Sequence, residues 1–139
     1  MTLTQLGRNL AAAALVTASL AASAAPQDRL VFQVSDSDPA IWTQAMNNAA
    51  NVRKTLGADK VAVEIVVYGQ GIGMAKFDSP AADRVAQTIA GGVDVVVCEN
   101  TMKGQKLTKQ DMNEKVSYVP AGVVEIMNKQ KDGWIYIKP

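Results

Sequence analysis

The stretch Val93-Asp94-Val95-Val96-Val97-Cys98-Glu99-Asn100-Thr101-Met102 decides how the rest of the chain is read. It follows Gly91-Gly92 and is apolar and β-branched as far as Val97, the pattern of a buried parallel strand. Asn100 and Thr101 are residue types that start helices. Cys98, the only cysteine, is therefore expected where a strand hands over to a helix. In open α/β sheets that edge is where ligands and chemistry collect. A thiol near a helix N-terminus also feels the positive end of the dipole, which favours the thiolate.

Upstream, Arg29–Val34 reads as a first strand. Asp38 and Pro39 signal a helix start as N-cap and N1. Trp42, Ala45, Ala49, Val52 and Leu56 recur on one face of the helix that follows, and Gly57 stops it. Val61–Tyr68 is apolar on both faces and reads as a central strand. Gly69-Gln70-Gly71-Ile72-Gly73-Met74 resembles a phosphate-cradling GxGxxG only superficially, because the third glycine is missing and the next helix begins later. It is expected as a flexible loop at the same edge as Cys98. Gly71 and Gly73 are its candidate ligand-binding residues; the alternative is a set of turn glycines giving close backbone approach. A second helix spans Pro80 to Ala90, with Ala82, Val85, Ala86 and Ile89 as its buried stripe.

Downstream, a short helix is expected from Thr101, and Thr108 caps a further helical turn. Val116–Val119 is a fourth strand. Pro120-Ala121-Gly122 leads into a helix expected to pack through Val123, Val124, Ile126 and Met127. Trp134–Ile137 is the last strand. Alternating strands and helices imply an α/β fold: a single three-layer α/β/α domain around a parallel sheet of about five strands, with right-handed crossovers.

The 139 residues contain no histidine. That removes His-based acid–base catalysis, Ser-His-Asp and Cys-His pairs and nearly all zinc enzymes. A lone cysteine excludes an intramolecular disulfide and a Cys-rich metal site. No cofactor and no metal are expected. The formal net charge is +1, and no basic cluster is longer than Arg53-Lys54, so no nucleic-acid partner is expected.

Met1–Ala24 reads as a secretory signal peptide, with Arg8 in the charged segment, an apolar run from Leu10 to Ala22, and Ala22-Ser23-Ala24 as the small-x-small cleavage site. The functional domain is then 25–139. The expected location is periplasmic, with no membrane association after cleavage. In an oxidising compartment an unpaired thiol is a liability, so Cys98 is buried, paired with another chain, or used.

Three stretches carry a resemblance to the DsrE/DsrF-like proteins of sulfur metabolism, which have the YchN-like fold. They are VFQVSDSDPAIWTQAMNNAANV, VEIVVYGQGIGM, and VVVCENTMKGQKLTKQDM with VSYVPAGVVEIMNKQKDGWIYI. Together they span essentially Arg29–Pro139. The resemblance implies a small parallel α/β/α domain that assembles into trimers or hexamers. It also implies a cysteine at the end of the third strand that carries a persulfide and passes sulfur on, a position matched here by Cys98. This chain departs from the sulfur-relay members in its apparent export; those members work in the cytoplasm beside partner subunits.

Two functions remain in view. In one, Cys98 is a sulfur-carrying thiolate, at most a sulfurtransferase, and the amides around Asn100 and Thr101 bind the sulfur anion; a protein or small sulfur species serves as donor or acceptor. In the other, the chain is a non-catalytic homo-oligomer that binds a small ligand or peptide, and Cys98 is a packing residue. The targeting reading has a direct check. N-terminal sequencing of the exported protein should begin at Ala25-Pro26, and retention of Met1 would contradict it.

Overall fold

A computed structural model describes residues 24–139. The stretch expected to be a signal peptide, Met1–Ala24, lies outside the described residues apart from Ala24. Strand β1 (Asp28–Val34) leads into helix α1 (Pro39–Leu56), with Asp38 as N-cap and Pro39 in the first turn. Strand β2 (Val61–Val67) is followed by a 3₁₀ segment, Gly69–Ala75, and helix α2 (Ala82–Ala90). Strand β3 (Asp94–Cys98) runs directly into helix α3 (Glu99–Gly104). A 3₁₀ turn, Lys109–Asp111, carries a reciprocal cap between Thr108 and Asp111. Strand β4 (Ser117–Val119), helix α4 (Gly122–Lys131) and strand β5 (Ile135–Ile137) complete the chain.

The five strands pair in parallel in the order β4-β3-β2-β1-β5. From β1 to β4 the chain steps across the sheet in one direction, and right-handed crossovers then place the intervening helices on one face. The connection from β4 to β5 reverses direction and carries α4 back over the opposite face. Consequently β3 and β4 send their C-terminal connections to opposite sides of the sheet. The crevice between their C-terminal ends is the topological switch point, where open α/β sheets hold their ligands.

Strand alternation sorts the side chains into two cores. Phe32, Val34, Ile65, Val67, Val95 and Val97 face α1 and α2 and form the larger one with Trp42, Met46 and Val85. Val31, Val66 and Val96 face α4 and pack on Ile126. Because α4 alone covers that second face, only a narrow stripe of it is buried.

The expected fold class holds, with three local corrections. The glycine-rich segment is a packed 3₁₀ helix rather than a flexible loop, with Gly71, Ile72, Met74 and Ala75 buried. A Cβ on Gly71 would lie 2.3 Å from the Val34 carbonyl oxygen, so glycine lets this segment fold tightly over the end of β1. Helix α3 begins at Glu99, with Cys98 itself as N-cap, rather than at Thr101. In α4, Ile126 is buried but Val123, Val124 and Met127 are exposed, contrary to a fully packed apolar face.

Under α4 lies a buried charge. Glu64, 4% exposed, receives Lys129 Nζ at 2.7 Å on Oε2, while its Oε1 has no partner. Lys129 also reaches Glu125 at 3.5 Å and stands 4.1 Å from the Trp134 ring centroid. Burial raises the Glu64 pKa and Lys129 pulls it back only in part. Burial acts to lower the Lys129 pKa, but Glu64 and Glu125 outweigh it and the net direction is up.

Removing the ammonium should leave an uncompensated carboxylate. Lys129→Ala is expected to cost about 2–3 kcal/mol at neutral pH, less than the ~3–5 of a fully enclosed pair because Lys129 keeps some solvent contact. With its folded pKa above the unfolded one, Glu64 binds more protons folded than unfolded, so its contribution falls as pH rises above 4.5. Urea unfolding on either side of that pH should show the variant's deficit shrinking on the acid side. A deficit independent of pH would contradict the assignment.

Candidate functional site

Strand β3 puts Asp94, Val96 and Cys98 on the α4 side of the sheet. Cys98 is the last residue of β3 and pairs with Val119 of β4, which places its sulfur at the switch point. Its backbone is extended (φ −73°, ψ 112°), the conformation of an N-cap. The Thr101 amide donates to Sγ at 3.4 Å, so sulfur takes the place that a Ser or Asp oxygen fills in an ordinary cap.

A second helix end converges on the same atom. Helix α4 starts at Gly122 behind Ala121, which offers no side-chain acceptor. The Gly122 amide instead faces Cys98 and acts to lower its pKa. That approach needs glycine for space rather than for backbone angle. A Cβ at Gly122 would lie 3.2 Å from both Tyr68 Cβ and Val66 Cγ1, and 3.3 Å from Cys98 Cβ.

Thr101 contributes its side chain as well. Its Oγ1 accepts the Gly69 amide at 3.0 Å, which leaves the hydroxyl proton for the sulfur. Gln105 ties the same turn down by donating to the Gly69 carbonyl at 3.1 Å.

The electrostatics follow from these donors. Burial acts to raise the Cys98 pKa, since the sulfur belongs to a residue only 5% exposed. The Thr101 hydroxyl and the amides of Gly122, Thr101 and Asn100 outweigh it, and the net direction is down. Hydrogen bonds, rather than the nearby cations Lys103 and Lys106, hold the thiol down. Grooves of 280 to 390 Å³ lie elsewhere on the surface, and Cys98 lines none of these four.

Of the sequence candidates, Cys98, Asn100 and Thr101 come together. The Asn100 side chain is exposed; its amide also donates to the Pro120 carbonyl at 3.1 Å, tying α3 to the start of the α4 connection. Gly71 packs against Val34, and a Cβ on Gly73 would lie 3.2 Å from Cη2 of the Trp42 ring. The loop glycine that reaches Thr101 is Gly69, at φ +56°. Asp38 caps α1 by accepting the Ala40 amide at 2.8 Å, and the Asp36 backbone carbonyl accepts Trp42 Nε1 at 2.6 Å.

Two neighbours escaped the sequence reading. Tyr68 continues β2 beside Cys98; burial, then Tyr136 and Cys98, raise its pKa against a hydrogen bond with Ser35. It adjoins a polar chain in which the Tyr136 hydroxyl donates to Gln33, and Gln33 donates to Ser35 at 3.0 Å. Gly122 was the other. Its signal was a helix start with no Ser, Thr, Asp or Asn at the cap, which leaves amides in need of an acceptor. Among the described residues no group of three or more His, Cys, Asp or Glu could hold a metal ion.

The model of the DsrE/DsrF-like family matches residues 6–139. Among solved structures, the chain is similar to a protein of unknown function from Methanobacterium thermoautotrophicum, with 29% identity and a TM-score of 0.77 over 81% of this chain and 99% of that one. A conserved protein of unknown function from Bacteroides thetaiotaomicron shares the fold at 13% identity and a TM-score of 0.67, over 81% of this chain and 95% of that one. No curated protein matches the chain.

The convergence on sulfur predicts a specific defect. Gly122→Ala should cost about 1–3 kcal/mol by overpacking and should raise the Cys98 pKa by moving the α4 amide away. Thr101→Val should raise it without the steric cost. A thiol with a folded pKa below its unfolded one contributes stability that is present above the unfolded pKa and lost as pH falls through the folded pKa. Both variants should lose part of that rise. Alkylation rate against pH reads the midpoint; an unmoved midpoint in both would contradict the assignment.

Proposed function

We propose, from the premise that this chain belongs to the DsrE/DsrF-like family, that it is an exported sulfur-carrying protein that holds sulfane sulfur on Cys98. Family membership supports a role related to sulfur relay. The observation that carries the finer reading is the sulfur atom facing amides from the first turns of two helices at the switch point of the sheet. Such donors favour an anion at that atom in either form, thiolate or persulfide.

The exchange balances without a cofactor. The Cys98 thiolate attacks the outer sulfur of a donor persulfide R–S–SH. The donor S–S bond breaks, a new S–S bond forms on Cys98, and the thiolate RS⁻ leaves. Passing the sulfur onward is the same step with an acceptor thiolate attacking the outer sulfur of the Cys98 persulfide. Thr101 and Gly122 keep their donors on the inner sulfur, which is the leaving atom in that second step. With Cys98 only 5% exposed, exchange requires the α3 or α4 first turn to move aside.

Self-association forms part of the proposal. Val123, Val124 and Met127 on α4 and Ile135 on the edge strand β5 are exposed apolar side chains. A second copy covering them would complete the thin layer that α4 gives this face. The trimers or hexamers of similar proteins are the assemblies to expect, and the leader segment supports a periplasmic location.

The burial of Cys98 favours one rival, a binding module in which the cysteine only packs. Mass spectrometry after incubation with polysulfide separates the two. The wild-type protein should gain the mass of one sulfur atom, removable by a thiol reductant, and Cys98→Ser should gain none. No gain on folded wild-type protein would leave the packing role.

A further inference from the structure

We propose a second site, independent of Cys98 and at the opposite edge of the sheet: the groove between α1 and α2 binds an organic anion with an apolar body. The groove is open to solvent and offers about 390 Å³, within the range of small-molecule pockets. Met46, 1% exposed, and Val93, 3% exposed, form an apolar floor, with Ala50 beside them. The ionisable side chains lining it are Arg53, Lys54 and Arg84, all cationic. Among the described residues none of the three has a carboxylate within salt-bridge distance.

Arg53 is held in place rather than left to wander. Its Nη1 donates to the Val61 carbonyl at 3.0 Å, and its guanidinium lies over Gly92, where an added Cβ would come within 2.6 Å of Nη2. Gly92 adopts φ +87° there. The backbone bond uses one of the five guanidinium N–H donors. A fixed fork with free donors, beside an apolar floor, matches a carboxylate or phosphate head on a hydrocarbon body. Arg84 is tied only to an uncharged partner, Asn47 Oδ1, at 2.6 Å. It stands where this groove meets a second one of about 280 Å³ that shares Met46 and is walled by Pro39, Pro80 and Ala81. The apolar body therefore has room to extend past Arg84 along α1. Arg53 and Lys54 also stand in the last turn of α1, where cations stabilise the helix end. Stability alone is for that reason no test of the site.

The test uses the mature protein with its methionine methyl groups isotopically labelled. Octanoate should shift the Met46 methyl resonance saturably, while octylammonium and inorganic phosphate at the same concentration should leave it in place. Arg84→Gln, which alters an exposed side chain, should weaken octanoate at least tenfold with unchanged thermal unfolding. Ala50→Leu should do the same by filling the floor without touching a charge. Equal binding of octylammonium would overturn the charge assignment, and equal binding of phosphate the apolar one. An unmoved Met46 methyl, or full octanoate affinity in both variants, would overturn the site.

Discussion

Amides in the first turn of a helix have no partner within the helix, and burying them without an acceptor is costly. In this fold two such turns, those of α3 and α4, start at the same place: the sulfur of Cys98 accepts the Thr101 amide of α3, and the Gly122 amide of α4 acts on it to lower its pKa. Sulfur is a weak acceptor as a thiol and a much better one as an anion. The arrangement is therefore satisfied best when Cys98 carries negative charge. One requirement of helix geometry thus sets both the packing of the sheet edge and the chemistry available there.

The rest of the architecture serves that convergence. After β4 the chain turns back across the sheet to reach β5 at the far edge, which sends α4 over the otherwise bare face and starts it beside β3. Gly122 lets the first turn of α4 come within van der Waals reach of β2 and β3. The Pro120 carbonyl, by accepting the Asn100 amide, and the Gly69 amide, by donating to Thr101, tie the two helix starts and the β2 turn together. Farther along α4, the Lys129–Glu64 pair fixes the helix over the middle of the sheet. The same economy leaves Val123, Val124 and Met127 of α4 exposed.

Much of this was legible in the residues. Val93–Val97 between glycines and a helix-start pair could hardly be anything but a buried strand, and Cys98 had to stand at its end. Asp38-Pro39 marked α1 by local cap chemistry, which needs no tertiary knowledge. What the sequence hid were matters of space. That Gly71 and Gly73 are glycines because Val34 and Trp42 press on them, and Gly122 because three side chains do, depends on neighbours 24 to 56 residues away in the chain. The outward turn of Val123, Val124 and Met127 was equally hidden, because an apolar stripe does not say whether its own chain or another covers it. The basic groove between α1 and α2 arises from two helices whose proximity only the sheet order determines.

A donor-lined sulfur, low in exposure and set at the switch point, is the feature on which the proposed sulfur-carrying role rests. The chain contains no histidine, so histidine-based transfer has no group to carry it. The most direct measurement is a titration of the Cys98 thiol by ultraviolet thiolate absorbance in the native protein and in the same protein unfolded in urea. The account predicts a midpoint in the native protein below that of the unfolded chain. A native midpoint equal to or above the unfolded one would mean that burial outweighs the converging amides, and the sulfur would then be packing and nothing more.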